Sequence, residues 1–452
     1  MKSSRTANYS LYLTFFKRNY GTKDVNKSGK NIVLVDAVRT PFIQSGTLYK
    51  NETQHTLSKY AINGLINRTQ VPKEAIEYVV FGNVVQDCKT TNVARESSLL
   101  AGLSDRIPAH TVSMACISAN QAITTCIGYI NSGMCDSAIA GGVELLSDVP
   151  IRFSREMRQI MLSYPKAKSF GSKLALFTRI TPKSLIPELP AIAEFSTNET
   201  MGHSGDRLAA AFAISRQEQD AYALRSNTLA EKASQGGLLS DIIPYPVLAQ
   251  KEPIYKDNGI RVSDLDKLSK LKPAFIKPYG SVTAGNASFL TDGASAGLIM
   301  TEERAKQLGL KPKAYLRDFI YVSQDPKDQL LLGPAYATPK ILDRNGLTLK
   351  DIDVFEYHEA FAGQILATLK ALDSDWFNQN YANRKGKVGA IPLEKLNAWG
   401  GSLSIGHPFG ATGVRLVVTA ANRLIKENGK LALVAACAAG GQGHAMIVER
   451  YP

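Results

Sequence analysis

The chain has 452 residues, of which 44% are hydrophobic and 21% charged, and its formal net charge is +13. This composition is typical of a globular protein with a large core divided into two or three units. The sequence contains no run of about 18 apolar residues, so no transmembrane helix is predicted. The five cysteines are irregularly spaced and form no CxxC pair, which fits a reducing compartment and indicates no zinc site.

The first segment of the chain is strongly basic. Residues 1–30 hold seven Lys or Arg residues against Asp24 alone, and so carry +6 of the net charge. Serines and a short apolar-aromatic group at 11–16 accompany these charges, a pattern typical of a mitochondrial targeting peptide that is removed on import. A disordered basic tail is the alternative.

Residues 31–150 alternate short apolar runs with helical patterns. The runs at 31–38, 78–82 and 137–142 predict buried strands, and the segments around 53–68, 91–101 and 117–132 predict helices. Because strands alternate with helices, we expect an α/β layered fold with a largely parallel sheet.

This rhythm is lost between residues 151 and 285. Prolines cluster between 165 and 190, a polar helix is predicted from residue 215, and loops follow. The section holds 19 Lys or Arg residues and 13 Asp or Glu residues. It is predicted to be a loop domain inserted over the functional site.

The start of this inserted section combines charge with apolar side chains. Residues 151–186 contain eight Lys or Arg residues and one Glu, interleaved with apolar residues. This pattern suits an anionic membrane surface or an acidic partner, although a solvated basic loop is the ordinary alternative.

Residues 286–452 resume the α/β rhythm, with strands predicted at 296–300, 314–316, 354–357 and 431–436. We expect residues 286–310 to end an N-terminal half and residues 311–452 to form a C-terminal half. This repeated alternation of strands and helices is the only sequence feature that indicates a structural duplication, in which the two halves share one fold.

Cys116 is the first candidate for chemistry. The apolar positions that follow it have helical spacing, so the cysteine is predicted at a helix N-terminus, where the helix dipole favours a thiolate and lowers the thiol pKa. An inert buried cysteine is the commoner fate of such a residue.

Two later segments complete the pattern. His407 lies among glycines, which permit close approach to a ligand, and its imidazole can take a thiol proton. Cys437 ends an apolar strand and begins a Gly-rich turn whose N–H groups can hold an oxyanion. The alternatives are a structural histidine and a plain strand-end cysteine. His358-Glu359 begins like a zincin motif, but position 362 is alanine, so no metal site is predicted.

These blocks, in this order, resemble the thiolase superfamily from about residue 31 to the C-terminus. Further matching stretches are Asp36–Phe42, Gly141–Glu144, Met201-Gly202 and Val282–Ser288. The resemblance implies the thiolase fold, in which two βαβαβαββ halves stack in five αβαβα layers and a loop domain is inserted in the first half. It also implies an acyltransferase with no permanently bound cofactor and with coenzyme A as co-substrate.

The resemblance implies a role for each candidate. Cys116 would be the nucleophile that is acylated, His407 would activate it, and Cys437 would be the acid/base at the acyl-CoA enolate. One oxyanion hole would use His407 with a partner from the 358 block, and the other the backbone N–H groups of Cys116 and Ala439. Most thiolases have asparagine where this chain has His358, so how that oxyanion hole is built stays open.

Contacts to coenzyme A are also implied. Ser288 and Ala284 match positions that contact pantetheine, and Arg261 matches an arginine that contacts the nucleotide. Phe275 and Phe361 would line the tunnel, although core packing is the more ordinary role of such residues.

The resemblance is greatest to long-chain 3-ketoacyl-CoA thiolases of mitochondrial fatty acid beta-oxidation. It implies acyl-CoA substrates and a thiolase homodimer within a hetero-oligomer, beside an alpha subunit that carries the hydratase and dehydrogenase steps. We expect a location on the matrix side of the inner membrane, anionic lipid contact through 151–186, and no nucleic-acid partner. The alternatives are a short-chain acetoacetyl-CoA thiolase, another condensing enzyme, or a non-catalytic thiolase-like carrier or scaffold.

Overall fold

The computed structural model describes residues 29–190, 193–247 and 250–452. The predicted targeting peptide of residues 1–30 therefore lies almost entirely outside the described residues. In the part of the chain that is described, no helix is both long and apolar enough to cross a membrane.

The first half is built on a sheet of strands in the order β4-β3-β5-β6-β1. The strands are β1 (Ile32–Arg39), β2 (Ile43–Gln44, paired with β6), β3 (Tyr78–Gly82), β4 (Ala109–Val112), β5 (Ser137–Glu144) and β6 (Thr291–Thr301). Its helices are α1 (Gln54–Thr69), α2 (Val93–Leu100) and α3 (Ser118–Asn131).

The inserted section between β5 and β6 contains helices and loops. The helices are α4 (Arg155–Ser163), α5 (Phe170–Phe177), α6 (Met201–Ala211), α7 (Arg216–Gln235) and α8 (Leu265–Ser269). Serine or threonine N-caps begin α4 to α7, and Ser215 precedes α7, where the sequence predicts a polar helix. The domain boundaries themselves stay a prediction.

The second half continues the sheet path as β7-β10-β9-β8. Its strands are β7 (Ala314–Ser323), β8 (Val354–Tyr357), β9 (Leu431–Ala438) and β10 (Gln442–Arg450). Its helices are α9 (Glu302–Gln307), α10 (Gly333–Asn345), α11 (Ala362–Leu372), α12 (Asp375–Tyr381), α13 (Ser402–Ile405) and α14 (Thr412–Lys426). Strand β1 also pairs with β7, through Val33–Tyr315 and Leu34–Ala314.

Three hydrophobic clusters define five layers. One cluster packs α1 and α2 against the first sheet, and another packs α10 and α11 against the second. The third lies between the sheets and joins α3 of the first half to α14 of the second. The predicted order of helix, sheet, helix, sheet and helix layers is therefore confirmed.

The prediction of a largely parallel sheet is wrong. Only β3–β4, β3–β5 and β8–β9 pair in parallel among the described strands, and the remaining ladders are antiparallel. The reason is that helical crossovers, which parallel neighbours require, join only part of the chain. The insertion joins β5 to β6, and the tight turn at 439–441 joins β9 to β10.

Buried ion pairs tie the insertion to the first sheet. Arg39, at the end of β1, donates to Asp241 at 2.6 Å and to Asp257 at 2.6 and 2.9 Å, and all three side chains are buried. Asp257 also accepts from the backbone N–H of Phe42 at 2.7 Å. The loops that follow α7 are thus fixed against the strand that begins the fold.

Candidate active site

Cys116 lies in a tight turn before α3. Ala115 has a positive φ of 45°, and the Ser118 hydroxyl accepts from Met114 N–H at 2.8 Å while donating to the Ala115 carbonyl at 2.7 Å. The helix begins at Ser118, so the cysteine precedes the first turn rather than belonging to it. This turn presents the half-buried Cys116 side chain to the centre of the molecule.

The predicted lowering of the Cys116 pKa is wrong. Burial raises the pKa of this thiol to about 11, and the charges of Glu144 and Glu194 act in the same direction. The backbone N–H groups of Ala439 and of Cys116 itself face the sulfur and act against the rise. Desolvation outweighs these donors, so the thiol is protonated near neutral pH.

His407 is a neutral imidazole with a defined proton position. The Thr412 hydroxyl donates to the Pro408 carbonyl at 2.9 Å, so it must accept from His407 Nδ1–H at 2.7 Å. The Nε2 atom then carries the lone pair, and it is buried without a hydrogen-bond partner among the described residues. Burial lowers the His407 pKa well below its usual value, and His358 and Arg415 add to this effect. Such a nitrogen can take a proton from a thiol.

His358 holds its proton on the opposite side. Its Nδ1 lies 2.8 Å from Ser402 Oγ, which already accepts from Arg415 Nη2 at 2.8 Å. The Ser402 hydroxyl therefore donates its proton to His358 Nδ1, and the proton of the His358 ring is on Nε2. Burial, followed by the charge of Arg415, lowers the His358 pKa to about 3.

The two imidazoles and Cys116 form one cluster. The ring centroids of His358 and His407 are 4.0 Å apart, and one donor atom from each of the three side chains lies within 4.8 Å of the others. A nitrogen lone pair, an N–H donor and a thiol thus meet in one buried space. This arrangement suits deprotonation of the sulfur and stabilisation of a new oxyanion.

Cys437 lies close enough to Cys116 for the two thiols to interact electrostatically. It is buried at the end of β9, and its thiol pKa is raised by burial and then by the charge of Cys116. The turn that follows has positive φ at Gly440 and Gly441, 80° and 69°, which residues with a Cβ rarely adopt. Gly440 N–H donates to Glu194 of the insertion at 3.0 Å.

Two buried carboxyl groups hold the loops of the site. Glu144, at the end of β5, accepts from the backbone N–H groups of Val84, Val85 and Gly410 at 3.2, 2.8 and 2.9 Å. It therefore joins the loop after β3 to the segment that carries His407.

Glu359, next to His358, serves the insertion in the same way. It accepts from Tyr222 and Ser226 of α7 at 3.0 and 2.8 Å, and from Asn397 at 2.7 Å. Helix α7 is thus connected directly to the residue beside His358.

A cavity of about 400 Å³ opens beside the cluster. It brings together two of the predicted coenzyme A contacts, Arg261 and Ala284. Its further lining includes Gln44, Asn227, Leu268, Leu271, Phe289 and Leu403. Leu403 follows Ser402, so the wall of the cavity lies one residue from the side chain that orients His358.

The remaining predicted contacts do not line this cavity. Phe275 and Phe361 pack edge to face, with centroids 6.2 Å apart at 86°, and Phe275 stays 40% exposed. Ser288 is half-buried and donates its backbone N–H to the Ala360 carbonyl at 3.0 Å. The structure therefore places these three residues at the 358 block rather than around the cavity.

The sequence motifs do not reveal the residues that orient the candidate side chains. Thr412 and Ser402 set the two histidine tautomers, and Glu144 and Glu359 hold the loops. The spacing of Thr412 from His407 within one Gly-rich segment is a usable signal. Ser402 carries no such signal, because its partner lies 44 residues away.

The sequence matches the thiolase N-terminal domain over residues 32–303 and the thiolase C-terminal domain over residues 310–450. It is 67% identical to the trifunctional enzyme subunit beta, mitochondrial, of Homo sapiens over 423 residues, covering 94% of this chain and 89% of the relative. It is 61% identical to a probable 3-ketoacyl-CoA thiolase of Caenorhabditis elegans over 427 residues, covering 94% and 95%. The crystal structure of human mitochondrial 3-ketoacyl-CoA thiolase superposes with a TM-score of 0.79 at 30% identity, covering 94% of this chain and 99% of that one.

Proposed function

The chain belongs to the thiolase family, and from this premise we propose that it is a 3-ketoacyl-CoA thiolase, an acyltransferase that cleaves long-chain 3-ketoacyl-CoA with coenzyme A in mitochondrial fatty acid oxidation. The observation that carries the proposal is the cluster of Cys116, His358 and His407, with one donor atom of each within 4.8 Å. The cavity beside it contains Arg261 and Ala284 and supports binding of coenzyme A, the co-substrate.

The first half-reaction begins at Cys116. His407 Nε2 takes the thiol proton, and the sulfur attacks the C3 carbonyl of the substrate. The C2–C3 bond then breaks, the acyl group stays on Cys116, and the enolate of acetyl-CoA takes a proton from the Cys437 thiol. Two oxyanion holes stabilise the negatively charged oxygens. In one, His358 Nε2–H and protonated His407 donate hydrogen bonds; in the other, the backbone N–H groups of Cys116 and Ala439 donate them.

The second half-reaction restores the resting state. The Cys437 thiolate takes the proton of a coenzyme A thiol, whose sulfur attacks the acyl group on Cys116. The shortened acyl-CoA leaves, and His407 returns its proton to the Cys116 sulfur. The Cys116 proton thus moves to His407 and back, whereas the Cys437 proton goes to acetyl-CoA and is replaced by the proton of the coenzyme A thiol, and no permanently bound cofactor is required.

The activity is tested by CoA-dependent cleavage of 3-ketohexadecanoyl-CoA beside acetoacetyl-CoA. We expect preference for the long chain and loss of the acyl-enzyme in Cys116→Ala, because no other sulfur occupies the position of the nucleophile. Preference for acetoacetyl-CoA would identify a short-chain thiolase instead. Absence of turnover on both substrates would favour a carrier or scaffold.

We further propose a homodimer that assembles with the alpha subunit of a trifunctional enzyme. The human relative is by name a subunit beta, which supports such an assembly. Edge strand β4 pairs only with β3 among the described strands, and its four residues are half-buried, so its free edge offers a dimer contact. Co-purification with the alpha subunit, and a two-chain mass for this chain alone, test both parts.

The location is proposed on the same grounds. The basic residues 1–30 and the name of the human relative support mitochondria, and the apolar surface of the insertion supports the matrix side of the inner membrane. On α4, α5 and the loop after them, Leu162, Phe170, Leu185 and Ile186 are 70, 83, 63 and 63% exposed. The same segment, residues 151–186, carries eight Lys or Arg residues against one Glu, a charge that favours binding to anionic lipid.

Vesicle co-sedimentation tests the membrane surface. Leu162→Asp and Phe170→Asp should reduce binding to cardiolipin-containing vesicles, because each places a carboxylate at the lipid surface. Trp376→Asp is the matched control, since Trp376 is 64% exposed but lies on α12 of the second half. Equal loss in all three variants, or unchanged binding when the basic residues of 151–186 are neutralised, would contradict the proposal.

A further inference from the structure

The cluster of Cys116, His358 and His407 has the composition of a transition-metal site. One donor atom of each residue lies within 4.8 Å of the others, and these are a thiol sulfur and imidazole nitrogens, the ligands that zinc prefers. Both histidines use Nδ1 in hydrogen bonds, to Ser402 and Thr412. Both Nε2 atoms are buried without a hydrogen-bond partner among the described residues.

We propose that Cys116, His358 and His407 bind one Zn²⁺ reversibly, with solvent as fourth ligand, and that the bound ion blocks the thiol. Three protein ligands with one open position is a usual arrangement for zinc. The ion is exogenous and takes no part in the thiolase reaction. Its binding is a property of the resting site and does not depend on which acyl chain the enzyme cleaves.

The proton balance of binding is simple. Cys116 releases its thiol proton to solvent and binds as the thiolate, whereas His407 Nε2 already offers a lone pair. His358 moves its proton from Nε2 to Nδ1, where Ser402 Oγ lies 2.8 Å away and can accept it. No electron is transferred, and one proton is released for each ion bound.

The second coordination layer is already in place. Zinc-bound imidazoles usually donate the other ring N–H to an oxygen, and Thr412 and Ser402 supply those oxygens at 2.7 and 2.8 Å. The nearest opposing charge is Arg415, which contacts Ser402 at 2.8 Å. Glu356 lies 3.7 Å from Arg415 and also pairs with Arg423 at 2.8 Å, so it offsets the charge of Arg415 only in part, and the thiolate of Cys116 supplies the negative charge in contact with the ion.

Binding is tested directly by equilibrium dialysis of the full chain against Zn²⁺. We expect one tight site per chain, an at least tenfold weaker dissociation constant in His358→Asn, and loss of the site in Cys116→Ser. Asparagine keeps a polar atom for Ser402 but has no group in place of Nε2. The exposed Cys88 provides the matched control, Cys88→Ser, which should bind as the wild type does.

A second measurement needs no variant. Zn²⁺ should slow alkylation of Cys116 by iodoacetamide at least tenfold, leave alkylation of Cys88 unchanged, and be reversed by EDTA, with both sites followed by mass spectrometry. Equal slowing at both cysteines, or unchanged zinc binding in folded His358→Asn, overturns the proposal. Because both assays omit substrate, their failure is distinguishable from a failure of the thiolase activity, which is measured without zinc.

Discussion

At the scale of single residues, the thiol of Cys116 and the imidazoles of His358 and His407 are uncharged in the resting site. Burial raises the Cys116 pKa to about 11, while burial and the charge of Arg415 lower the His358 pKa to about 3. His407 is held neutral by burial as well. At rest, Cys116 is therefore a thiol and His407 a neutral imidazole. The proton moves from Cys116 to His407 only as the sulfur attacks the substrate.

This assignment predicts how alkylation of Cys116 depends on pH. Because only the thiolate reacts, and its pKa is raised, the rate with iodoacetamide should rise about tenfold per pH unit from pH 7 to about 10. A small free thiol with a pKa of about 8.5 should instead level off above pH 9. A plateau for Cys116 below pH 8 would mean that a thiolate–imidazolium pair exists at rest.

Thr412 should act as a positioning residue for His407. Thr412→Val removes the oxygen that accepts the Nδ1 proton, so the ring can adopt the tautomer whose Nε2 is protonated. A general base accelerates a reaction by ~10²–10⁴-fold, and we expect kcat to lose part of this factor while KM changes little. Thr412→Ser, which keeps the hydroxyl, should restore most of kcat; an equal loss in both variants would mean that packing is responsible.

At the scale of elements, the site depends on close contact between α3 and α14. A Cβ at Gly413 would lie 2.4 Å from Asn120 N, whereas a Cβ at Gly128, also helical, meets nothing within 4 Å. Gly413 therefore permits close contact between α3 and α14, whereas Gly128 leaves room for a side chain.

Urea unfolding distinguishes these two glycines. Gly413→Ala should lower the free energy of unfolding by about 1–3 kcal/mol, because α14 must shift away from α3. Gly128→Ala should raise it by about 0.5–1 kcal/mol through helix propensity. Similar changes in both variants would argue against close contact of the helices.

The elements also show what the sequence can predict. Hydrophobic periodicity located α1, α2 and α3 within two residues, because the buried apolar side chains of each recur at helical spacing. It did not predict β10, whose residues follow a Gly-rich turn and include the fully buried His444. The four candidate side chains could be named from local motifs, but Ser402, Glu144 and Glu359 act across distant loops, and no local pattern reveals such contacts.

At the scale of the whole molecule, buried polar contacts tie the insertion to both halves. Arg39 of the first half bonds Asp241 and Asp257, and Glu359 of the second half bonds α7. The cavity beside the cluster lies among these contacts, since Arg261 and Asn227 belong to the insertion and Leu403 to the second half.

Arg39→Met should release the loops after α7 from β1. The change leaves two buried carboxyl groups without their cation, and breaking such a pair costs about 3–5 kcal/mol. We expect a lower free energy of unfolding and faster limited proteolysis within 241–285. Arg158→Met is the control, because its partner Glu188 is exposed and an exposed ion pair contributes little to stability. Equal protease resistance of wild type and Arg39→Met would contradict this anchoring role.

The order of the reactive groups along the chain has a consequence for synthesis. Cys116 lies in the first third of the chain, whereas His407 and Cys437 lie in its last tenth. A ribosome therefore completes the nucleophile several hundred residues before the groups that activate it. Until translation is nearly finished, the nascent polypeptide carries an ordinary thiol, and any product cut short before residue 407 lacks the base that the thiolase reaction requires.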